Sequence, residues 1–431
     1  MKRKKIRRIY SLLLGVSILT PSILMGCSAF SGEEKTTSSE EASGLSYPGK
    51  MVVWGFDFGP SVSKVIIDIP DTGNEPVTTD MFSVTEEKKD ADTSFSEERK
   101  IRDAYYSDAD GNRADDLSAF SGNLFLSIEL SESPDEGDLL YFDDRISSKQ
   151  WFSDYTLHIK KEGTRIASIT EKVFPQIEKV DTKGSFTGKE GHTFAYASFV
   201  PENASEDNKQ PLVIWLHGGG ESGTDPSAAV YGNEVVALFG EEFQTIMDGA
   251  YVLVPLCPTA WIETKDEDDP DSIYLHDLHD LIDSYADSHH VDKERILVGG
   301  CSNGGYMTLD LLLNYPTYFS AAFPVCEIFD PEQIPSEKLS AIKDIPMWFV
   351  YAENDRTVPP ATFEEPLLQS LASLGAKNIH VSVFPDIHDT TGRYLVDGEP
   401  YQYYGHFSWI RFFNNECTDG SLTIWQFLSE N

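Results

Sequence analysis

The chain has 431 residues, enough for two domains of ordinary size, and its 40% apolar content can fill hydrophobic cores. These values exclude a disordered or fibrous protein. The formal net charge of −37 at pH 7 argues against nucleic acid and anionic lipid as partners.

The amino terminus has the pattern of a signal peptide, predicted over residues 1–26. Six basic side chains lie among the first eight residues, and a mainly apolar stretch follows that is short for a membrane span. The stretch ends in Leu24-Met25-Gly26-Cys27, which resembles the lipobox of bacterial lipoproteins. That resemblance implies that Cys27 is lipidated and becomes the mature amino terminus. Cleavage there removes six positive and no negative charges, so the net charge moves from −37 to −43.

The segment 27–47 is polar and of low complexity, so it cannot bury a core and is predicted to be a tether. The expected location is the outer face of a bacterial cell membrane, with the lipid as the only membrane contact. A plain secretory signal with an incidental cysteine is the alternative. Four cysteines remain after Cys27, with no C-x-x-C pair among them, and free packed thiols are predicted although a disulfide stays open.

Residues 48–161 show strand patterns and turn residues without a long helical period. The clearest strands are predicted at 64–69, 124–130 and 155–159. This pattern indicates a small all-β, antiparallel sandwich of immunoglobulin-like size. Its role, whether to shape or cap the cleft entrance or to drive oligomerisation, stays open.

Residues 174–431 alternate apolar strands with helices, which predicts a mostly parallel sheet flanked by helices. Loops at the carboxyl edge of such a sheet carry function. The predicted strands are 192–200, 211–216, 251–256, 295–298, 320–325, 346–351 and 380–384. The predicted helices are 235–247, 272–288, 362–374 and 421–428.

A nucleophile elbow is predicted at Ser302. An apolar strand runs into Gly300-Cys301-Ser302-Asn303-Gly304, and an amphipathic helix pattern follows directly. A serine on so sharp a turn needs neighbours without bulk, which the glycines two before and two after it supply. The short pattern alone would be weak, but the strand before and the helix after it disfavour chance.

The serine needs a base, and the base needs an acid, in the order serine, acid, histidine. Asp355 follows the predicted strand 346–351 and is the expected acid, with Glu353 and Glu327 as fallbacks. His388 and His406 compete for the base. His406 is preferred because a glycine precedes it and aromatic residues follow, which suits a ring packed into a loop.

The oxyanion hole is predicted to combine the Asn303 N–H with backbone amides of Gly218 and Gly219, in a glycine loop that directly follows strand 211–216. His217 is expected to brace this loop. His276 and His279 miss the H-E-x-x-H spacing and are assigned to an ordinary helix, so neither a metal nor a cofactor is predicted.

Several motifs occur in order from 216 to 409: L-H-G-G-G-E, V-P-L-C-P, G-C-S-N-G-G-Y-M-T, A-E-N-D-R-T-V-P and G-H-F-S-W. Together they resemble bacterial α/β-hydrolase esterases related to polyhydroxybutyrate depolymerases and prolyl oligopeptidase-like hydrolases. The β region is similar to the immunoglobulin-like domain that precedes some of these esterases. The resemblance implies Ser302 as nucleophile, Asp355 as acid and His406 as base.

The expected function is a lipid-anchored serine esterase that acts on small esters or ester-bearing polymers without a cofactor. A prolyl oligopeptidase-like serine peptidase and an acetyl or feruloyl esterase acting on polysaccharides are the alternatives. A non-enzymatic binding lipoprotein is a further one. The oligomeric state and the physiological substrate are not encoded in a readable pattern.

Overall fold

A computed structural model describes residues 46–69, 76–90, 92–114, 123–134, 136–265 and 270–431. The predicted signal peptide, Cys27 and most of the predicted tether lie outside the described residues. The chain forms two compact units. The first contains the described residues of 46–52, 62–131 and 152–173, and the second those of 53–61, 132–151 and 174–431.

The first unit is built from two sheets. One sheet has five strands in the order β11-β1-β2-β6-β5, and the other has four in the order β10-β9-β3-β4. The strands are β1 Tyr47–Phe56, β2 Gly59–Asp68, β3 Phe82–Lys89, β4 Ser94–Arg99, β5 Ile101–Ser107, β6 Phe125–Leu130, β9 Asp154–Lys161, β10 Thr164–Arg165 and β11 Ala167–Val173, with a 3-10 turn at Thr79–Met81.

Alternating burial explains why these segments are strands. In β9, Tyr155, Leu157 and Ile159 are buried, whereas Thr156 between them is exposed and His158 is half-buried. The prediction of an immunoglobulin-like β sandwich is confirmed. The sandwich is not wholly antiparallel, however, because β1 and β11 pair in parallel.

A buried ion pair crosses the interior of this unit. The Arg99 guanidinium donates to Glu86 Oε2 at 3.0 Å and to the carbonyl of Ser131 at 2.8 Å. The Tyr155 hydroxyl donates to the same Glu86 oxygen at 2.8 Å. Burial raises the pKa of Glu86, but the charges of Lys88 and Arg99 outweigh it and lower the pKa overall. The carboxylate is therefore ionised and paired at neutral pH.

Replacing Arg99 with methionine is expected to destabilise the first unit by about 3 kcal/mol, because the buried Glu86 carboxylate then loses the Arg99 guanidinium and keeps Lys88, at 2.9 Å, as its cationic partner. Urea unfolding measures the loss. The matched control is Arg102→Met, which breaks the half-exposed pair with Glu129 and should cost about 1 kcal/mol or less. Equal losses for both variants would contradict the prediction.

The second unit contains an eight-stranded sheet in the order β12-β13-β15-β14-β16-β17-β18-β19. The strands from β15 to β19 in this order pair in parallel, whereas β12 and β13 add antiparallel at one edge. The sheet strands are β12 Val180–Thr187, β13 Thr193–Phe199, β14 Gln210–Leu216, β15 Tyr251–Pro255, β16 Val291–Cys301, β17 Ala321–Val325, β18 Met347–Ala352 and β19 Ile379–Phe384.

Helices and three short hairpins complete the unit. The α-helices are α1 Pro226–Gly232, α2 Glu241–Ile246, α3 Leu275–Ser288, α4 Asn303–Asn314, α5 Ser336–Ile342, α6 Glu364–Ser373, α7 Trp409–Phe413 and α8 Ile424–Glu430. Short 3-10 turns occur at Pro175–Ile177, Val235–Phe239 and Pro331–Gln333. The hairpins pair β7 Leu140–Asp143 with β8 Ser148–Trp151, β20 Leu395–Val396 with β21 Glu399–Pro400, and β22 Thr418–Asp419 with β23 Leu422–Thr423.

The α/β-hydrolase prediction is confirmed, with local corrections. The single helix predicted over 235–247 is wrong: a 3-10 turn and α2 replace it, because Gly240 is extended at φ −70°, ψ 156° and breaks the helical run. Helix α1 was not predicted. It begins with Pro226 at its first position and is capped by Asp225, whose side chain accepts from the Ser227 N–H.

Aromatic side chains fill the core beside the sheet. Trp215 of β14 stacks on Phe412 of α7 with ring centroids 5.4 Å apart, and Phe412 in turn stacks on Phe323 of β17. Cys257, Cys301, Cys326 and Cys417 are buried free thiols, as predicted. Across the described ranges, no helix is both long and apolar enough to cross a membrane.

Candidate active site

Ser302 lies where the central strand β16 turns into helix α4. Its backbone has φ 54° and ψ −111°, a region that costs a residue with a side chain about 1–3 kcal/mol. The turn is held by its neighbour strand, since the Ser302 N–H donates to the carbonyl of Val325 at 2.9 Å. The nucleophile elbow predicted from the sequence is therefore present as a backbone conformation.

Two glycines make this turn possible because the end of β14 approaches them closely. A Cβ atom on Gly300 would lie 2.3 Å from the carbonyl oxygen of Leu216, and one on Gly304 would lie 1.9 Å from the same oxygen. Both distances are far below any van der Waals contact. Only glycine at these positions lets α4 begin directly above the strand ends.

Asp355 and His406 form a buried hydrogen-bonded pair. His406 Nδ1 lies 2.7 Å from Asp355 Oδ2. The other oxygen of Asp355 accepts from the backbone N–H groups of Thr357 and Val358, both at 2.8 Å. Because a carboxylate only accepts, Nδ1 carries the proton and Nε2 is left as the basic nitrogen.

The rival histidine does not reach Asp355. His388 Nδ1 instead lies 2.5 Å from Asp386 Oδ1, and the His388 side chain is 43% exposed. The structure thus pairs the expected acid with His406 and not with His388. Of the fallback acids, Glu353 is exposed and Glu327 is buried away from any histidine contact.

A glycine explains how the His406 loop comes so close to the end of β18. A Cβ atom on Gly405 would lie 2.2 Å from Asn354 Oδ1. The adjacent ring of Trp409 packs edge-on to His406 at 5.7 Å between centroids. The glycine before the imidazole and the aromatic residue after it therefore let the His406 ring pack into a loop, as the sequence pattern predicted.

The glycine loop after β14, which carries the two predicted oxyanion donors Gly218 and Gly219, is open at Gly219. Gly218 is buried, while a Cβ on Gly219 would meet nothing within 4 Å. His217 braces the loop, as expected: its Nδ1 lies 2.6 Å from the carbonyl of Gly218, and its Nε2 accepts from the Cys257 N–H at 3.0 Å. Burial lowers the pKa of His217, so the ring is neutral and can accept this bond.

Asn303 occupies the first position of α4, where a backbone N–H has no acceptor within the helix. Its side chain has a separate task, because Asn303 Oδ1 accepts from the backbone N–H of Trp261 at 2.6 Å. The side chain therefore fixes the segment around the buried Trp261 ring. The backbone N–H of Asn303 is left as a donor at the positive end of the helix.

Two buried glutamates, Glu327 and Glu364, interact with each other, and Glu364 also interacts with Asp355. Burial raises the pKa of Glu327 from its ordinary value of 4.5 to about 8. Burial and the charge of Glu327 also raise the pKa of Glu364. Glu327 accepts from the Phe329 N–H at 2.6 Å through one oxygen only. Glu327 therefore keeps its proton at neutral pH, which limits negative charge at this edge of the sheet.

The raised pKa of Glu327 predicts a pH dependence of stability. Between about pH 4.5 and about pH 8 the unfolded chain has lost the Glu327 proton while the folded chain keeps it, so this group makes folding less favourable as pH rises. Replacing Glu327 with glutamine should therefore raise stability relative to wild type more at pH 8 than at pH 5. Urea unfolding at both pH values checks this, with the exposed Glu337→Gln as control. Equal shifts at both pH values would contradict it.

Two residues near the site were missed at the sequence level. Glu364 begins α6 and resembles any acidic residue in a first helical turn. Lys149 of β8 contacts the oxyanion loop but is an isolated basic residue far away along the chain.

In the part of the chain that the structure describes, no three His, Cys, Asp or Glu side chains are grouped so as to hold a metal ion.

Comparisons with known proteins show which families and folds the chain is similar to. Residues 201–397 match the Phospholipase/Carboxylesterase family, and residues 49–174 match the Esterase Ig-like N-terminal domain. The crystal structure of a thermostable esterase is similar over 85% of this chain and 96% of its own, with 25% identity and a TM-score of 0.68. A search of curated proteins found no match.

Further solved structures match more distantly. A ferulic acid esterase matches over 58% of this chain and 98% of its own, with 11% identity and a TM-score of 0.43. An acetyl xylan esterase from Paenibacillus sp. R4 covers 47% of this chain and 76% of its own, with 17% identity and a TM-score of 0.35.

The fold and the site define a hydrolase of the α/β-hydrolase class. The two family matches and the thermostable esterase specify the kind further. The chain is a carboxylesterase-type enzyme with an esterase immunoglobulin-like domain ahead of its catalytic domain.

Proposed function

We propose that this enzyme hydrolyses carboxylic esters through an acyl-enzyme formed on Ser302, with His406 as base and Asp355 as its orienting acid. The hydrogen bond of 2.7 Å between His406 Nδ1 and Asp355 Oδ2 carries the proposal. It fixes the imidazole tautomer whose free nitrogen can take a proton from a serine. Ser302 follows the carboxyl end of β16 and Asp355 that of β18, and these strands belong to the parallel part of one sheet.

The proposed mechanism assigns one task to each group. His406 takes the hydroxyl proton of Ser302 while the serine oxygen attacks the ester carbonyl carbon. Asp355 stabilises the imidazolium that results. The negative charge on the carbonyl oxygen is bound by the amides of Gly218, Gly219 and Asn303. His406 then gives the proton to the departing alcohol. In the second half of the reaction it activates the water that releases the acid.

Reaction with a fluorophosphonate probe tests the nucleophile. The wild-type chain should incorporate one equivalent at Ser302, located by mass spectrometry, and Ser302→Ala should incorporate none. Parallel assays on short acyl p-nitrophenyl esters and on the matching peptide amides test the substrate class. Faster turnover of the amides would favour a peptidase over the proposed esterase.

We also propose that the mature enzyme is anchored by lipid at Cys27 on the outer face of a bacterial membrane. The support is the Leu24-Met25-Gly26-Cys27 pattern after a basic and apolar leader, together with the polar segment that follows. Expression with the native leader should place the wild type in the membrane fraction as a labelled lipoprotein. Cys27→Ser should abolish incorporation of radiolabelled palmitate. Equal incorporation in both would overturn the anchor.

A further inference from the structure

The hairpin of β7 and β8 belongs to the catalytic unit. It lies within the sequence matched by the esterase Ig-like domain, residues 49–174, yet residues 132–151 are part of the second compact unit. The hairpin is anchored there by Trp151, whose Nε1 donates to Ser227 Oγ at 3.0 Å and whose ring packs edge-on to Tyr231 of α1. A stretch of the amino-terminal match is thus built into the hydrolase unit.

This hairpin holds the backbone of the oxyanion loop. The Lys149 N–H donates to the carbonyl of Gly220 at 2.7 Å. The Ser148 hydroxyl donates to the carbonyl of Ser222. The two contacts fix the chain on either side of Glu221. Because Gly220 directly follows the predicted oxyanion donors, its position determines where the amides of Gly218 and Gly219 point.

A partly buried ion pair reinforces the same loop. Lys149 Nζ lies 3.2 Å from Glu221 Oε1 and donates to the carbonyl of Gly232 at 2.8 Å. The Glu221 side chain is only 5% exposed. Its second oxygen lies 3.2 Å from the point where a Cβ atom on Gly218 would be. The Glu221 carboxylate therefore packs against Gly218, and its ion pair with Lys149 holds the carboxylate in place.

We infer that Lys149 and Glu221 form a positioning pair that sets the geometry of the oxyanion hole from a hairpin outside the α/β-hydrolase sequence. Neither side chain is assigned a contact with substrate. Their effect acts through the backbone amides, whose value depends on distances of about 2.7–3.1 Å to the developing oxyanion. A shift of about 1 Å there is enough to cost about 100-fold in rate. This inference rests on the proposed esterase function.

The test is Lys149→Met in the full mature chain, with a p-nitrophenyl ester as substrate. We expect kcat to fall about 10- to 100-fold while KM changes by less than about threefold, because the loop stabilises charge only in the transition state. Affinity for a trifluoromethyl ketone, to whose carbonyl carbon the serine oxygen adds to give a hemiketal that carries an oxyanion, should fall in the same proportion as kcat/KM. Lys149→Arg should recover most of the activity.

Glu221→Gln completes a double-mutant cycle. If the two residues act as one device, the double variant should be no slower than the slower single variant. The matched control is Lys179→Met, which breaks the exposed pair with Glu202 in the same unit and should leave kcat unchanged. Circular dichroism and urea unfolding establish that each variant is folded.

The outcomes separate this inference from the function on which it rests. If the wild type reacts with a fluorophosphonate and Lys149→Met keeps its kcat, the positioning role is overturned and the esterase stands. A rise in KM without a fall in kcat also overturns it, because ground-state binding would then be what the hairpin supports. If the wild type does not react with the probe, the proposed function itself fails.

Discussion

Replacing His406 with alanine is expected to lower kcat for a short p-nitrophenyl ester by roughly 10⁶-fold, to the level of Ser302→Ala. The physical reason is that His406 is the imidazole bonded to Asp355, at 2.7 Å, and so the one held in the tautomer that accepts the serine proton. Without it the serine hydroxyl has no base, and only the oxyanion amides and substrate binding still contribute. Steady-state kinetics on the purified, folded variant measures the loss.

His388→Ala is the matched control for this prediction. His388 also pairs with an aspartate, Asp386, but its side chain is 43% exposed. We expect its removal to change kcat by less than about threefold, as for a surface substitution remote from the chemistry. A large loss in His388→Ala together with a small one in His406→Ala would reverse the assignment of the base.

The sequence was sufficient for features that depend on local backbone geometry. The elbow at Ser302 could be predicted because a strand-to-helix turn this sharp excludes side chains at positions 300 and 304. Both positions are glycine, which is visible in the sequence within two residues of Ser302. Asp355 could be predicted because a carboxylate just past a buried strand lies at the functional edge of a parallel sheet. Both inferences need only the chain within a few residues of the site.

The features that the sequence left open depend on contacts between distant segments. His388 and His406 both follow β19, so position along the chain could not show which of them pairs with Asp355. In the folded chain that partner is His406. Lys149 and Glu221 are likewise ordinary charges until folding brings them together. The helix predicted over 235–247 failed for a different reason: the hydrophobic periodicity was real, but one glycine in the extended conformation divides the segment.

Replacing Asp355 with asparagine is expected to lower kcat by about 10⁴-fold while leaving the fold intact. The asparagine oxygen can still accept from the N–H groups of Thr357 and Val358, at the 2.8 Å positions that Asp355 Oδ1 now occupies. Its amide nitrogen would then face His406 Nδ1 as a donor. The imidazole must respond by placing its own proton on Nε2, where it can no longer take one from Ser302.

Asp386→Asn is the control, since it makes the same substitution at an aspartate that pairs with the competing histidine, His388. Its kcat should stay within about threefold of wild type, because no catalytic tautomer depends on it. Comparing the two variants separates the general cost of losing a carboxylate from the specific cost of the wrong tautomer. Equal rates for Asp355→Asn and wild type would mean that the Asp355–His406 bond orients nothing used in catalysis. The triad assignment would then have to be abandoned even if Ser302 still reacted with a fluorophosphonate.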